Sequence, residues 1–121
     1  METILIVDDE KNYLLVLKEL LGEEGYEVVT AQSASEALDI FQEMELDLVI
    51  TDMRMPGKSG MELLQKMRFD FPGIPVIVAT GVADTNVAAE CAQLGVVDFI
   101  IKPFDLQAVT ASVRKSLSRL S

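Results

Sequence analysis

Histidine is absent from the 121 residues. That excludes histidine acid–base catalysis, Ser-His nucleophilic machinery and imidazole metal sites within this chain. Cysteine is nearly absent too: Cys91 stands alone. No intramolecular disulfide can form, and a lone thiol suits a reducing cytosol. No apolar run approaches the roughly 20 residues that a membrane helix needs. Met1-Glu2-Thr3 offers no basic n-region of a signal peptide. Positive charge is scarce, with 10 Lys and Arg against 20 Asp and Glu, for a net charge of −10. A domain this acidic is a poor direct binder of nucleic acid or anionic lipid. We therefore expect a cytoplasmic domain with no membrane contact and no nucleic-acid contact of its own.

What is present is a regular alternation. Half the residues are hydrophobic and a quarter charged, an ordinary globular balance for one domain spanning 1–121. Strand-like runs fall at 3–7, 27–30, 47–51, 75–79 and 97–101. All but the second are nearly unbroken apolar runs, as in strands buried on both faces of a parallel sheet. The second is more polar and is expected at an edge. Between them runs the helical period: Ala34, Ala37, Leu38, Phe41; then Gly60, Leu64, Met67, Phe71; then Leu106, Val109, Val113, Leu117. Ser33-x-x-Glu36 and Ser59-x-x-Glu62 read as capping boxes, and Gly25, Gly73 and Gly95 sit where helices should end. The fold class is α/β, a parallel sheet with helices on both faces.

The stretch Thr51-Asp52-Met53-Arg54-Met55-Pro56-Gly57-Lys58-Ser59-Gly60 invites comparison with a phosphate-binding loop, because Gly57-Lys58-Ser59 lies between a strand and a helix. The spacing G-x-x-x-x-G-K-[ST] requires a first glycine where Asp52 stands. A fixed carboxylate there would repel a nucleotide phosphate, so either the loop ignores phosphate or Asp52 is itself the chemistry. Other polar residues also stand at carboxyl ends of strands: Asp8-Asp9-Glu10 after the first, Thr80-Gly81 at the fourth and Lys102-Pro103 at the fifth. Ligands of open α/β sheets bind at that edge. Each residue has a plain alternative: solvated acids at a helix start, a turn threonine, a surface lysine. Together, three carboxylates at short range need countercharge. Lys102 supplies one positive charge, and all-oxygen donors suit Mg²⁺ or Mn²⁺. A carboxylate nucleophile in such a setting can form a covalent aspartyl phosphate.

Val7-Asp8-Asp9-Glu10, Asp52-Met53-Arg54-Met55-Pro56-Gly57, Ala79-Thr80-Gly81 and Phe99-x-x-Lys102-Pro103-Phe104 resemble the landmarks of the receiver domain of bacterial two-component response regulators. The resemblance runs from Ile4 to about Leu117. It implies a doubly wound (βα)5 flavodoxin-like fold with strand order 2-1-3-4-5. It implies that Asp52 is the phosphoacceptor, attacking a phosphohistidine on a sensor histidine kinase or a histidine phosphotransfer protein. Asp9, Asp52 and the backbone carbonyl of Arg54 would ligate Mg²⁺, with Asp8 acting through water. Lys102 would bind the phosphoryl group, with a cis Lys102–Pro103 peptide. Thr80 and Phe99 would form a switch pair that remodels the face of the fourth helix, fifth strand and fifth helix, which is also a candidate homodimer surface. The chain would catalyse only its own phosphorylation and dephosphorylation at Asp52. Phe99 lacks the hydroxyl of the frequent tyrosine, Val96 replaces a common alanine, and the fourth helix carries few charges for a salt-bridged dimer.

The expected output is transcription, through a domain beyond this chain. The alternative is a stand-alone receiver acting by protein contact or as a phosphorelay intermediate. Phosphatases of the haloacid-dehalogenase type place their nucleophile after the first strand, in a D-x-D-x-[TV] context. Here Asp8 is followed by Asp9-Glu10-Lys11-Asn12, which departs from that pattern at two positions. A pseudo-receiver would have lost an acid, the acceptor or the lysine, and all are present.

Overall fold

Five parallel strands make one sheet of order β2-β1-β3-β4-β5, in this computed structural model, which describes residues 1–53, 60–81, 85–103 and 105–118. The strands are β1 (Thr3–Val7), β2 (Glu27–Ala31), β3 (Leu48–Thr51), β4 (Val76–Thr80) and β5 (Asp98–Ile101). Each is followed by a helix: α1 (Lys11–Glu23), α2 (Ala34–Glu43), α3 (Gly60–Asp70), α4 (Thr85–Gln93) and α5 (Leu106–Ser118). Each strand agrees with its expected span to within a residue at either end. The flavodoxin-like α/β architecture is the one expected. Among the described residues no helix is long and apolar enough to cross a membrane.

Side-chain alternation along the strands sorts the core into two layers. Ile4, Ile6, Leu48, Ile50, Ile77 and Ala79 point to one face, where Leu14, Leu17 and Leu21 of α1 and Val109, Val113 and Leu117 of α5 cover them. Leu5, Val7, Val49, Val76 and Val78 point to the other, beneath α2, α3 and Cys91 of α4. Among the side chains described, the apolar stripes expected for α2, α3 and α5 therefore face the sheet, with two exceptions. Phe71 lies one residue past α3 and stacks on Phe41 at 5.4 Å. Leu106, at the first turn of α5, is largely exposed.

Three expectations are corrected. The run 97–101 reads as buried on both faces, yet Ile101 is 49% exposed on β5, the edge strand that the order 2-1-3-4-5 implies. Its apolar composition cannot distinguish an edge from a centre. The Ser33 hydroxyl accepts from the Glu36 N–H at 3.1 Å as expected, but the Glu36 carboxylate reaches one residue further back, to the Gln32 N–H at 3.2 Å. Gly25 (φ 95°) and Gly95 (φ 79°) end α1 and α4 in the left-handed region, whereas Gly73 does not adopt a left-handed φ. The cap expected at Ser59 falls outside the described residues.

A Cβ at Gly25 would meet nothing within 4 Å, and one at Gly95 only the Arg68 Nε at 3.9 Å. Alanine at either site is therefore opposed by backbone conformation and not by crowding. Gly25→Ala and Gly95→Ala should each lose about 1–2 kcal/mol in urea unfolding. Gly73→Ala should change stability by less than about 0.5 kcal/mol.

Candidate functional site

The backbone ladder continues one residue past three strands and fixes the stems of the polar residues there. The Asp8 N–H donates to the Ala31 carbonyl at 3.1 Å, the Asp52 N–H to the Val7 carbonyl at 3.0 Å, and the Lys102 N–H to the Thr80 carbonyl at 2.8 Å. Asp8 also shapes the loop into α1, its Oδ1 accepting the Glu10 N–H at 3.0 Å in an Asx turn. The side chains then converge. Lys102 Nζ donates to Asp52 Oδ2 at 3.0 Å and makes a second, shorter ion pair with Asp8 Oδ2. All three side chains are less than a tenth exposed. Asp9 is exposed at the rim. The carboxylates of Asp8, Asp9 and Asp52 each offer an oxygen within 4.8 Å of the others.

Asp9, Asp52 and Lys102 line an open cleft of about 480 Å³ with Glu10, Tyr13, Thr80, Gly81 and Pro103. The Lys102–Pro103 peptide is cis, as expected. Of the expected site residues, Asp8, Asp9, Asp52, Thr80 and Lys102 are brought together. Phe99 is not in the cleft: it pairs across from Val78 and packs, half-buried, on the layer beneath α2, α3 and α4. Thr80 lies two residues beyond Val78 in β4, so its side chain shares that face of the sheet with Phe99. Arg54 falls outside the described residues.

Charge in the cleft is unbalanced, and the titration of its groups reflects this. Burial lifts the Asp8 carboxyl above its ordinary value of 3.8. The bond from Lys102 and the Glu10 N–H offset only part of that, and Asp52 adds repulsion. Burial also works against the Lys102 ammonium, but its hydrogen bonds to Asp8 and Asp52 overcome the cost and hold it above the usual lysine range. One lysine thus serves two buried acids and a third at the rim. The remaining negative charge, presented entirely on oxygen, fits a hard divalent cation held by Asp8, Asp9 and Asp52.

Two features escape the sequence reading. The Tyr13 ring lies 4.3 Å from Lys102 Nζ. In sequence Tyr13 is merely part of an apolar helix, and no spacing rule points it at a lysine 89 positions away. Asp98 accepts from the Phe99 N–H at 2.8 Å and from the Ser112 hydroxyl at 2.5 Å, tying β5 to α5. A serine on the buried side of α5 is the only hint of this in the sequence.

The response regulator receiver domain family matches residues 4–114. The chain belongs to this family. Its fold is that of receiver domains of two-component response regulators. It is 36% identical to Sporulation initiation phosphotransferase F of Bacillus subtilis, over 96% of this chain and 94% of that protein. It is 40% identical to the transcriptional regulatory protein FixJ of Azorhizobium caulinodans, over 94% of this chain and 54% of that protein. The regulatory protein AtoC of Escherichia coli is 37% identical over 94% of this chain, which spans only 25% of it. Among solved structures, the response regulator TrrA of Thermotoga maritima, in complex with Mg²⁺–BeF, superposes with a TM-score of 0.88 at 36% identity, covering 97% of this receiver and all of that chain.

Because the folded chain holds the Asp8 proton more tightly than the unfolded chain, this group favours the fold below pH 3.8. That contribution is lost as pH rises through the raised value. At neutral pH without divalent cations, Asp8→Asn should therefore melt higher. A gain on the kilocalorie scale would raise Tm by about 3–6 °C for a domain of this size. An unchanged or lower Tm would mean that the acids are too well solvated to repel one another.

Proposed function

We propose that this receiver takes a phosphoryl group onto Asp52 from a phosphohistidine of a partner kinase or phosphotransfer protein. The observation that carries the reading is the pairing of buried Asp52 with Lys102 beside two further acids, in a cleft open to solvent. An Asp52 carboxylate oxygen attacks phosphorus, the bond from phosphorus to the donor nitrogen breaks, and that nitrogen keeps the electron pair. Lys102 exchanges a carboxylate for a phosphoryl oxygen, and the Thr80 hydroxyl donates to another. Mg²⁺ held by Asp8, Asp9, Asp52 and the Arg54 carbonyl would neutralise charge around the transferring group; Mn²⁺ suits the same oxygens. The donor histidine belongs to the partner, in keeping with its absence here. The chain performs this transfer, and the later hydrolysis of the aspartyl phosphate to a free carboxylate and inorganic phosphate, on itself alone, and works in the cytoplasm.

The phosphorylated state acts at a distance by favouring one of two arrangements. Thr80 turns toward the phosphoryl group, and Phe99, on the same face of the sheet, follows into the space released. The surface of α4, β5 and α5 changes and controls an output domain, a target or a second copy. The similarity to the transcriptional regulatory protein FixJ supports a transcriptional output. The similarity to Sporulation initiation phosphotransferase F, nearly end to end in that protein, supports a second reading as a phosphorelay intermediate. Passage of the phosphoryl group from Asp52 to a histidine phosphotransfer protein would separate the two.

Incubation with acetyl phosphate and Mg²⁺ should add the mass of one phosphoryl group. Asp52→Asn or EDTA should abolish the gain, and a gain that survives Asp52→Asn would overturn the assignment. Thr80→Ala should still be phosphorylated. With beryllofluoride it should lose more than half of the wild-type amide shift changes at Phe99 and along α4. Equal changes in both proteins would remove Thr80 from the switch.

A further inference from the structure

We infer that Tyr13 is a positioning residue for Lys102, its ring holding the ammonium at the acceptor while the charged partners change. The inference rests on the acceptor reading of Asp52. Its basis is the neighbourhood of a single nitrogen. Lys102 Nζ has Asp8 and Asp52 as its ion-pair partners and the face of Tyr13 at 4.3 Å. A cation within about 6 Å of an aromatic centroid is attracted by the ring quadrupole, more strongly when desolvated. The Lys102 side chain is only 8% exposed, which places the contact at the stronger end of that range.

The two carboxylates cannot hold the ammonium throughout the reaction. Asp52 becomes an acyl phosphate, and Asp8 belongs to the acidic group that suits a cation. The ring carries no formal charge, takes no phosphoryl group and ligates no metal, so its hold on Lys102 does not depend on the state of the acceptor. Its own position is secured from behind. Tyr13 is half-buried in the first turn of α1, and that helix is seated on the sheet by Leu14 and Leu17. Tyr13, with Glu10, lines both the acceptor cleft and a neighbouring groove that Val16, Leu17 and Leu106 also line. Without the ring, the lysine stem would border an open trough and the ammonium would gain hydration and alternative rotamers.

The test uses the whole chain and two readouts. Phosphorylation by acetyl phosphate in Mg²⁺ should slow about thirtyfold in Tyr13→Leu, the scale of a desolvated cation–π contact. Tyr13→Phe, which keeps the ring and drops the hydroxyl, should recover the rate to within about twofold of wild type. The Lys102 Hε resonances should be shifted upfield by the ring in wild type and in Tyr13→Phe, and should relax toward ordinary lysine values in Tyr13→Leu. Tyr13→Met is the second variant should leucine prevent folding. A wild-type rate in Tyr13→Leu would overturn the inference, as would a slowed rate that phenylalanine does not restore, or one with the Lys102 shift unmoved. A wild-type chain that accepts no phosphoryl group would overturn the acceptor reading and this inference with it. The Lys102 shift would then still report whether the ring sits on the lysine.

Discussion

The ammonium of Lys102 joins the carboxyl ends of three strands. Asp8 follows β1, Asp52 follows β3 and Lys102 follows β5, so the two ion pairs at this nitrogen tie an edge strand to two of the three interior ones. Taking charges out of water is costly, and a buried pair stands only when attraction and hydrogen bonding repay the desolvation. Here the balance leans negative. Deleting either acid leaves a matched pair, whereas deleting the lysine leaves two buried carboxylates facing one another. The cation is the member of the cleft that the unliganded fold can least lose, although the acid beside it is the candidate for chemistry.

The sheet decides what such a site can reach. Strict alternation sends the layer of β4 that carries Val76, Val78 and Thr80 toward α2, α3 and α4, and the layer that carries Ile77 and Ala79 toward α1 and α5. Thr80 therefore opens onto the cleft at one end and shares a face with Phe99 along its flank. The edge position of β5 matters in the same way. A ring in the centre of the sheet would be locked by neighbours on both sides, while Phe99 is only half-buried. Asp98 holds the start of the same strand to α5 through Ser112, so β5 is anchored at its first residue and by Lys102 just past its last.

The sheet and the cleft were largely legible in the sequence because both follow from period and position. Apolar runs of strand length mark the five strands, and polar residues at their carboxyl ends must meet once the strands are parallel. What resisted reading has a common cause. The aim of Tyr13 at Lys102, the bond from Ser112 to Asp98 and the exposure of Ile101 all depend on which elements become neighbours in space. None leaves a periodic trace along the chain. Gly73 failed as a left-handed helix end for a local reason: α3 stops at Asp70, and the chain turns through Phe71–Ile74, where the Ile74 N–H donates to the Phe71 carbonyl at 3.3 Å. The extended reach of Glu36 is likewise a side-chain choice between two adjacent amides that the motif leaves open.

Among the described residues the ion pairs fall into two populations. Lys66–Asp70 on α3 and Arg114–Glu24 between α5 and the end of α1 lie in solvent, with the basic partner more than half exposed in each. Dissolved salt shortens the reach of such charges to about 8 Å at physiological ionic strength and weakens them further as it rises. The pairs at Lys102 have side chains less than a tenth exposed, and dissolved salt screens such pairs much less. A change in the salt content of its surroundings therefore loosens the periphery of the domain while leaving the internal arrangement of its acceptor almost untouched.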